Sequence, residues 1–128
     1  MNFPVTTFYA SLLGLIFVFL SARVSFNRRR AKVSLGLGED AGLERANRAQ
    51  GNFIEYVPIA LILLLLLEQE VSQMWLLHTL GAALLGGRLM HAWGLARRYS
   101  VNMFRTWGTV ITWLMIMATA LLNLWHSI

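Results

Sequence analysis

The chain has 128 residues, of which 57% are apolar and 13% charged, and a formal net charge of +5. That length holds one domain, and the composition lies far from that of an average soluble protein. The absence of cysteine excludes a disulfide framework, a thiolate metal site and a cysteine nucleophile. The positive charge has no soluble basic domain to carry it, so nucleic acid is not the expected partner.

Charge-free stretches run over residues 1–22, 71–87 and 106–128. The first and last suffice to cross a bilayer, which takes about 20 apolar residues, and the middle one suffices once its ends are included. Span one is expected over Phe3 to Ser25. It lacks a basic leading segment and a small-residue cleavage site, so it reads as a retained span, not a signal peptide. Phe26 to Gly42 contains Gly36, Gly38 and Gly42 and reads as a loop. Only twelve uncharged residues separate Glu55 from Glu68. Span two must therefore begin near Leu43, run to Glu68, and carry polar residues into the protein interior. Pro58 is expected to bend it. Ser72 is a candidate N-cap for span three, which extends to Arg97. Gly81, Ala82, Ala83, Gly86 and Gly87 let neighbouring backbones approach, so this span should be central. Span four runs from Asn102 to His126, with Trp107 and Trp125 suited to the two interfacial belts. The expected fold is all-α, an integral-membrane four-helix bundle forming one domain over residues 1–128.

The polar residues of span two are the strongest functional signal. At about 100° per residue, Arg45, Arg48, Asn52 and Glu55 fall within an arc of roughly 80°. Ile59 continues that arc one turn deeper, whereas Gln50 lies off it. Polar groups at bilayer depth normally face a protein interior and mark function. One reading is a solvated helix end with an ion pair. The other is a pocket for a small anionic or zwitterionic ligand, with Arg matching carboxylate, Glu receiving ammonium and Asn reading an amide. A second constellation, Arg88, His91, Leu95 and Arg98, shares one face of span three. A buried Arg88 needs a partner, and Glu55 is the expected one. His91 is not expected to ligate a metal, because His78 and His126 sit near span ends and no carboxylates have ligand spacing.

These motifs resemble the MAPEG family, the membrane-associated proteins of eicosanoid and glutathione metabolism. The likeness rests on the run Glu44 to Pro58 (ERANRAQGNFIEYVP), on Gly87-Arg88-Leu89-Met90-His91, and on Arg105 near the start of span four. It covers the whole chain and implies a homotrimer that binds glutathione between subunits near the cytoplasmic face. It assigns Arg48, Asn52, Glu55 and Tyr56 to the glutathione site, adds Arg88 and His91 from helix three, and gives Arg105 the catalytic role of stabilising the thiolate. Arg28, Arg29 and Arg30 are further candidates for a contact. Leu95 stands where several eukaryotic members have a tyrosine, so that one hydrogen bond to the ligand is either lost or supplied by Tyr99. The implied activity is conjugation of glutathione, as co-substrate, to a lipophilic electrophile, or reduction of a lipid hydroperoxide. A non-catalytic lipid- or glutathione-binding protein is one rival. A small four-helix exporter using Glu55 is another, disfavoured because Arg residues surround that carboxylate.

Charge also orients the chain. Seven basic residues, Arg23 to Arg48, follow span one, and Arg88, Arg97, Arg98 and Arg105 lie in or around the third connection. The second connection has Glu68 and Glu70 and no Lys or Arg. The positive-inside rule places both basic connections in the cytoplasm and both termini outside, in the inner membrane for a bacterial source. Single cysteines at Ser34 and Ser127 should then label with an impermeant maleimide from opposite sides. Labelling of both from one side would refute this orientation.

Overall fold

The computed structural model describes residues 2–97 and 102–128, and they form four α-helices: α1 Pro4–Ala31, α2 Ala41–Glu70, α3 Met74–Ala96 and α4 Met103–Ser127. Arg98 and Tyr99 lie outside the described residues. Helices satisfy their backbone polar groups internally, as a bilayer demands. Three of the four, α1, α2 and α4, are long and apolar enough to cross one. At 23 residues, α3 spans about 34 Å at 1.5 Å per residue, more than the roughly 30 Å hydrocarbon core. Its hydropathy is lowered by His78, Arg88 and His91, of which Arg88 and His91 are buried.

The helices follow one another down and up, and α2 and α3 occupy the middle. Each touches the other three, while α1 and α4 touch only these two. Leu13, Leu20, Leu64, Leu67, Leu77 and Leu84 form the buried centre. Outward-facing apolar side chains such as Phe8, Leu15, Phe19, Ile62 and Leu121 are exposed, the pattern of a surface bathed in lipid, not water. Trp75 and Trp93 lie near the two ends of α3, Trp107 and Trp125 near those of α4, and all four are exposed.

α1 runs six residues beyond the expected end of span one. Its last turn carries Arg28, Arg29 and Arg30, where cations complement the helix dipole. Lys32 adopts a left-handed conformation (φ 57°) and stops the helix. The loop is thus 32–40, and of its expected glycines only Gly36 and Gly38 have positive φ. Gly42 is already helical. Asp40 caps α2 by accepting from the Leu43 N–H at 2.8 Å and also takes Arg30 at 2.5 Å, tying the end of α1 to the start of α2. The hydrogen bond from Arg30 is the main reason that its carboxyl titrates below the usual carboxylate range. The tie therefore holds above that range and weakens in acid as the pH falls through the lowered value.

At the opposite end Glu68 reaches from α2 to α1. Its two carboxylate oxygens accept from the Val5 and Thr6 N–H groups at 2.8 and 2.7 Å, satisfying orphan donors of the first turn, which opens with Pro4. Ser72 is not the cap of α3. Gln73 holds that position without a side-chain bond, and Val71 still donates to Leu67 at the end of α2. α2 continues through Pro58, and Asn123 of α4 donates to the Leu63 carbonyl of α2 at 2.9 Å.

Close approach depends on particular glycines. A Cβ on Gly81 would overlap the Tyr9 ring of α1. Gly87 and Gly108 face one another between α3 and α4, where a Cβ on Gly108 would come within 2.6 Å of both the Gly87 carbonyl and the His91 backbone nitrogen. Gly86 meets nothing within 4 Å, so the small-residue run is used unevenly. Gly108→Ala should lower the thermal unfolding temperature of the purified protein, since neither backbone atom can yield. Gly86→Ala should be neutral or stabilising by up to about 1 kcal/mol, the usual helix-interior advantage of Ala. Equal effects of the two would contradict this packing.

Candidate functional site

The Gly87–Gly108 contact brings α4 close enough for a side chain of α3 to bind its backbone. Arg88 uses that proximity. It is 2% exposed. Its Nε donates to Thr112 Oγ1 at 3.0 Å, and its Nη2 donates to the Gly108 carbonyl at 3.2 Å. The same carbonyl accepts from Thr112 at 2.8 Å. On the other side, Nη1 donates to Asn52 Oδ1 of α2. The guanidinium lies 5.5 Å from the centre of the Tyr56 ring, a cation–π distance. Asn52 and Tyr56 are one turn apart on α2, so both reach the same cation. One side chain thus joins three helices through neutral oxygens and an aromatic face.

The expected Arg88–Glu55 ion pair does not form. Glu55 pairs with Arg48 instead, at 3.7 Å, and both side chains are about half exposed (52% and 49%). Helix geometry explains the difference. Arg48 and Glu55 are two turns apart and separated by about 20° around the axis, whereas Glu55 is about 60° round from Asn52. Burial therefore divides the stripe: Asn52 is buried and Tyr56 partly so, while Arg48, Glu55 and Ile59 are exposed. The separation also weakens the surface pair, which is worth little in water. Gln50, off the stripe, donates to Ser21 Oγ of α1 at 2.8 Å.

The remaining residues gather behind this cluster. His91 is 4% exposed, one turn along α3 from Arg88. Arg88, Arg105 and Arg48 all lie close enough to His91 to act on it electrostatically. Arg105 is partly buried in the first turn of α4, which contains no acidic residue. A helix N-terminus already carries partial positive charge, so Arg105 adds to a positive field. Leu95 is buried on the same helix as His91. Arg28 donates to the Gly36 carbonyl at 2.6 Å and Arg30 is held by Asp40, so within this chain both serve the first connection.

Two residues that sequence reasoning passed over as site components hold this arrangement. Thr112 supplies the Nε acceptor and is fully buried. Asn102 caps α4 by accepting from the Arg105 N–H at 3.0 Å and donates to the Gly94 carbonyl of α3 at 2.8 Å. A Cβ on Gly94 would stand 2.6 Å from the Arg105 nitrogen, so glycine there is what lets the first turn of α4 lie against α3. An Asn opening a helix was a legible cap signal. The Thr112 contact joins positions 24 residues apart and had none.

The site therefore sets Arg88, Arg105 and Arg48 within electrostatic reach of a buried imidazole at the basic end of the bundle, with the Glu55 carboxylate beside Arg48 at the surface. Such an arrangement favours a ligand with net negative charge.

Comparison with known proteins agrees with the architecture. The model of the MAPEG family matches residues 6–125. The chain is also similar to the inner membrane protein YecN of Escherichia coli K12, 36% identical over 122 residues that cover 95% of this chain and 92% of that protein. YecN of Escherichia coli O6:H1 strain CFT073 matches to the same extent. With both the second- and third-helix motifs inside the matched region, the chain is an integral membrane protein that belongs to the MAPEG family.

Proposed function

We propose that the protein binds glutathione at the basic end of the bundle and activates its thiol for attack on a lipophilic electrophile or a lipid hydroperoxide. The observation that carries this reading is the buried Arg88, whose acceptors among the described residues are the neutral oxygens of Asn52, Thr112 and Gly108. A buried guanidinium without a carboxylate is costly, and an anionic ligand nearby offsets that cost. Glutathione at neutral pH carries two carboxylates and one ammonium. The ammonium suits Glu55, the carboxylates suit Arg48, and Asn52, oriented by Arg88 and backed by Tyr56, offers an amide to the peptide groups. In this reading Arg88 and His91 act from behind, by holding Asn52 and shaping the field.

Arg48 and Glu55 are half exposed on a single chain. A homotrimer in which a neighbouring subunit covers this face would desolvate them and close the site. The expected orientation, with the basic end in the cytoplasm, brings the site to the compartment that holds the tripeptide, while the bilayer delivers the apolar partner. Arg105 then provides a permanent positive charge beside the sulfur. A free thiol titrates near 8.5 and is mostly protonated at neutral pH, and a nearby cation lowers that value. In conjugation the thiolate forms a bond to the electrophilic carbon, and the displaced electron pair takes up a proton or departs with the leaving group.

Arg48→Ala and Glu55→Ala should each weaken glutathione binding in calorimetry by about thirtyfold, the low end of losing a desolvated charge-assisted contact. Native mass spectrometry should show both variants still assembled. Wild-type affinity in both would remove this site, and loss of assembly would make the pair structural.

Arg105→Leu should keep glutathione binding but lose the thiolate ultraviolet band and the conjugation rate with a generic aromatic electrophile. An undiminished rate at neutral pH would leave Arg105 as an anchor of α4 at the interface. Binding without turnover in the wild type would favour the non-catalytic reading.

A further inference from the structure

A cavity of about 500 Å³ lies on the outer side of the bundle, between α1 and α3. It is within the roughly 300–1,000 Å³ range of small-molecule sites. Leu15, Phe19 and Arg23 line it from α1, and Leu89, Trp93 and Ala96 from α3. Leu15, Phe19 and Arg23 are spaced by one turn each, so they mark a groove along the helix axis about 12 Å long. α1 and α3 both run toward the basic end. The groove is thus apolar toward the middle of the bundle and cationic where it reaches that end. Arg97 extends the cationic end, lying 5.1 Å over the Trp93 ring. Stacking fixes the guanidinium plane and leaves its N–H edge to meet an oxyanion. Among the described residues, neither Arg23 nor Arg97 joins an ion pair.

A second groove of about 480 Å³, between α1 and α2, is lined by Ala10, Phe17, Phe53, Pro58 and other apolar residues and carries no charge to select an occupant. The α1–α3 groove does carry one. We infer that it is a binding site for an anionic phospholipid of the surrounding leaflet, one acyl chain lying along Leu15, Phe19 and Leu89 and the phosphate held between Arg23 and Arg97. The order matches a lipid's own: hydrocarbon toward the midplane, an interfacial tryptophan at the boundary, then phosphate with arginine at headgroup depth. The groove lies apart from Arg48, Asn52, Glu55, Arg88 and Arg105, so the inference is independent of the glutathione reading.

The test is native mass spectrometry of the detergent-extracted full chain, titrated with phosphatidylglycerol and phosphatidylcholine. The wild type should retain phosphatidylglycerol preferentially. The double variant Arg23→Gln with Arg97→Gln should lose about thirtyfold of that preference, from two headgroup-level charges. Replacing both by Lys should keep most of it, which separates charge loss from misfolding. Ala96→Phe, at an exposed position, should reduce retention of both lipids by filling the groove. Arg28→Gln with Arg29→Gln, which changes charge at the same end but outside the groove, should leave the preference in place. Equal retention of the two lipids by the wild type would overturn the proposal. So would a preference that survives Arg23→Gln with Arg97→Gln, or one that falls equally with Arg28→Gln and Arg29→Gln. A photo-crosslinker at Phe19 should capture lipid; capture of a second copy of the chain would make the groove a subunit interface and refute the lipid site.

Discussion

A guanidinium almost without solvent exposure, deep among helices that meet the bilayer, sets the terms for the rest of this molecule. Arg88 must be satisfied wherever it sits, because an unpaired buried cation would cost more than a fold of this size can offset. Its three hydrogen-bonded contacts require α2 and α4 to converge on α3 at one level. That convergence is possible only because Gly87 and Gly108 have no side chains between the α3 and α4 backbones. The glycines, Thr112 and Asn52 are therefore parts of one device: backbone proximity makes acceptors available, and the acceptors keep the cation in place.

The device has an electrostatic consequence. Neutral oxygens give each guanidinium nitrogen of Arg88 an acceptor without cancelling its charge. Arg105 and the surface Arg48 act on the same imidazole, so the basic end of the bundle carries positive charge inside, at Arg88, as well as on its rim. Had Glu55 turned inward, its carboxylate would have neutralised that charge. Its position a sixth of a turn outward from Asn52 leaves a carboxylate and a guanidinium on the surface, with the buried cation behind them.

The two ends of the bundle are built differently. At one, Glu68 closes the first turn of α1 with both oxygens and Tyr9 packs over Gly81, donating to the His78 carbonyl at 3.1 Å. Polar groups there are spent on joining helices. At the other, the Arg30–Asp40 tie holds the first connection, while Arg23, Arg48 and Arg97 stay partly or fully exposed.

Periodicity and composition were enough to read the helical class, the spans to within a few residues at most ends, the central place of α3, and the polar face of α2. These properties are local, because a helix repeats its faces every 3.6 residues whatever it packs against. The motifs that carry the family resemblance were legible because they too are local: Arg48, Asn52, Glu55 and Tyr56 lie on one segment, and Arg88 and His91 on another. The choice of partner was not legible. That Arg88 takes Asn52, Thr112 and Gly108 in place of Glu55, that Glu68 caps a helix 62 residues away, and that Gly86 is idle while Gly87 is indispensable all depend on rotation and separation of whole helices. Those variables are set by the summed packing of many side chains. No single stretch of sequence encodes them, so only the tertiary structure decided which charges were buried and which were left exposed.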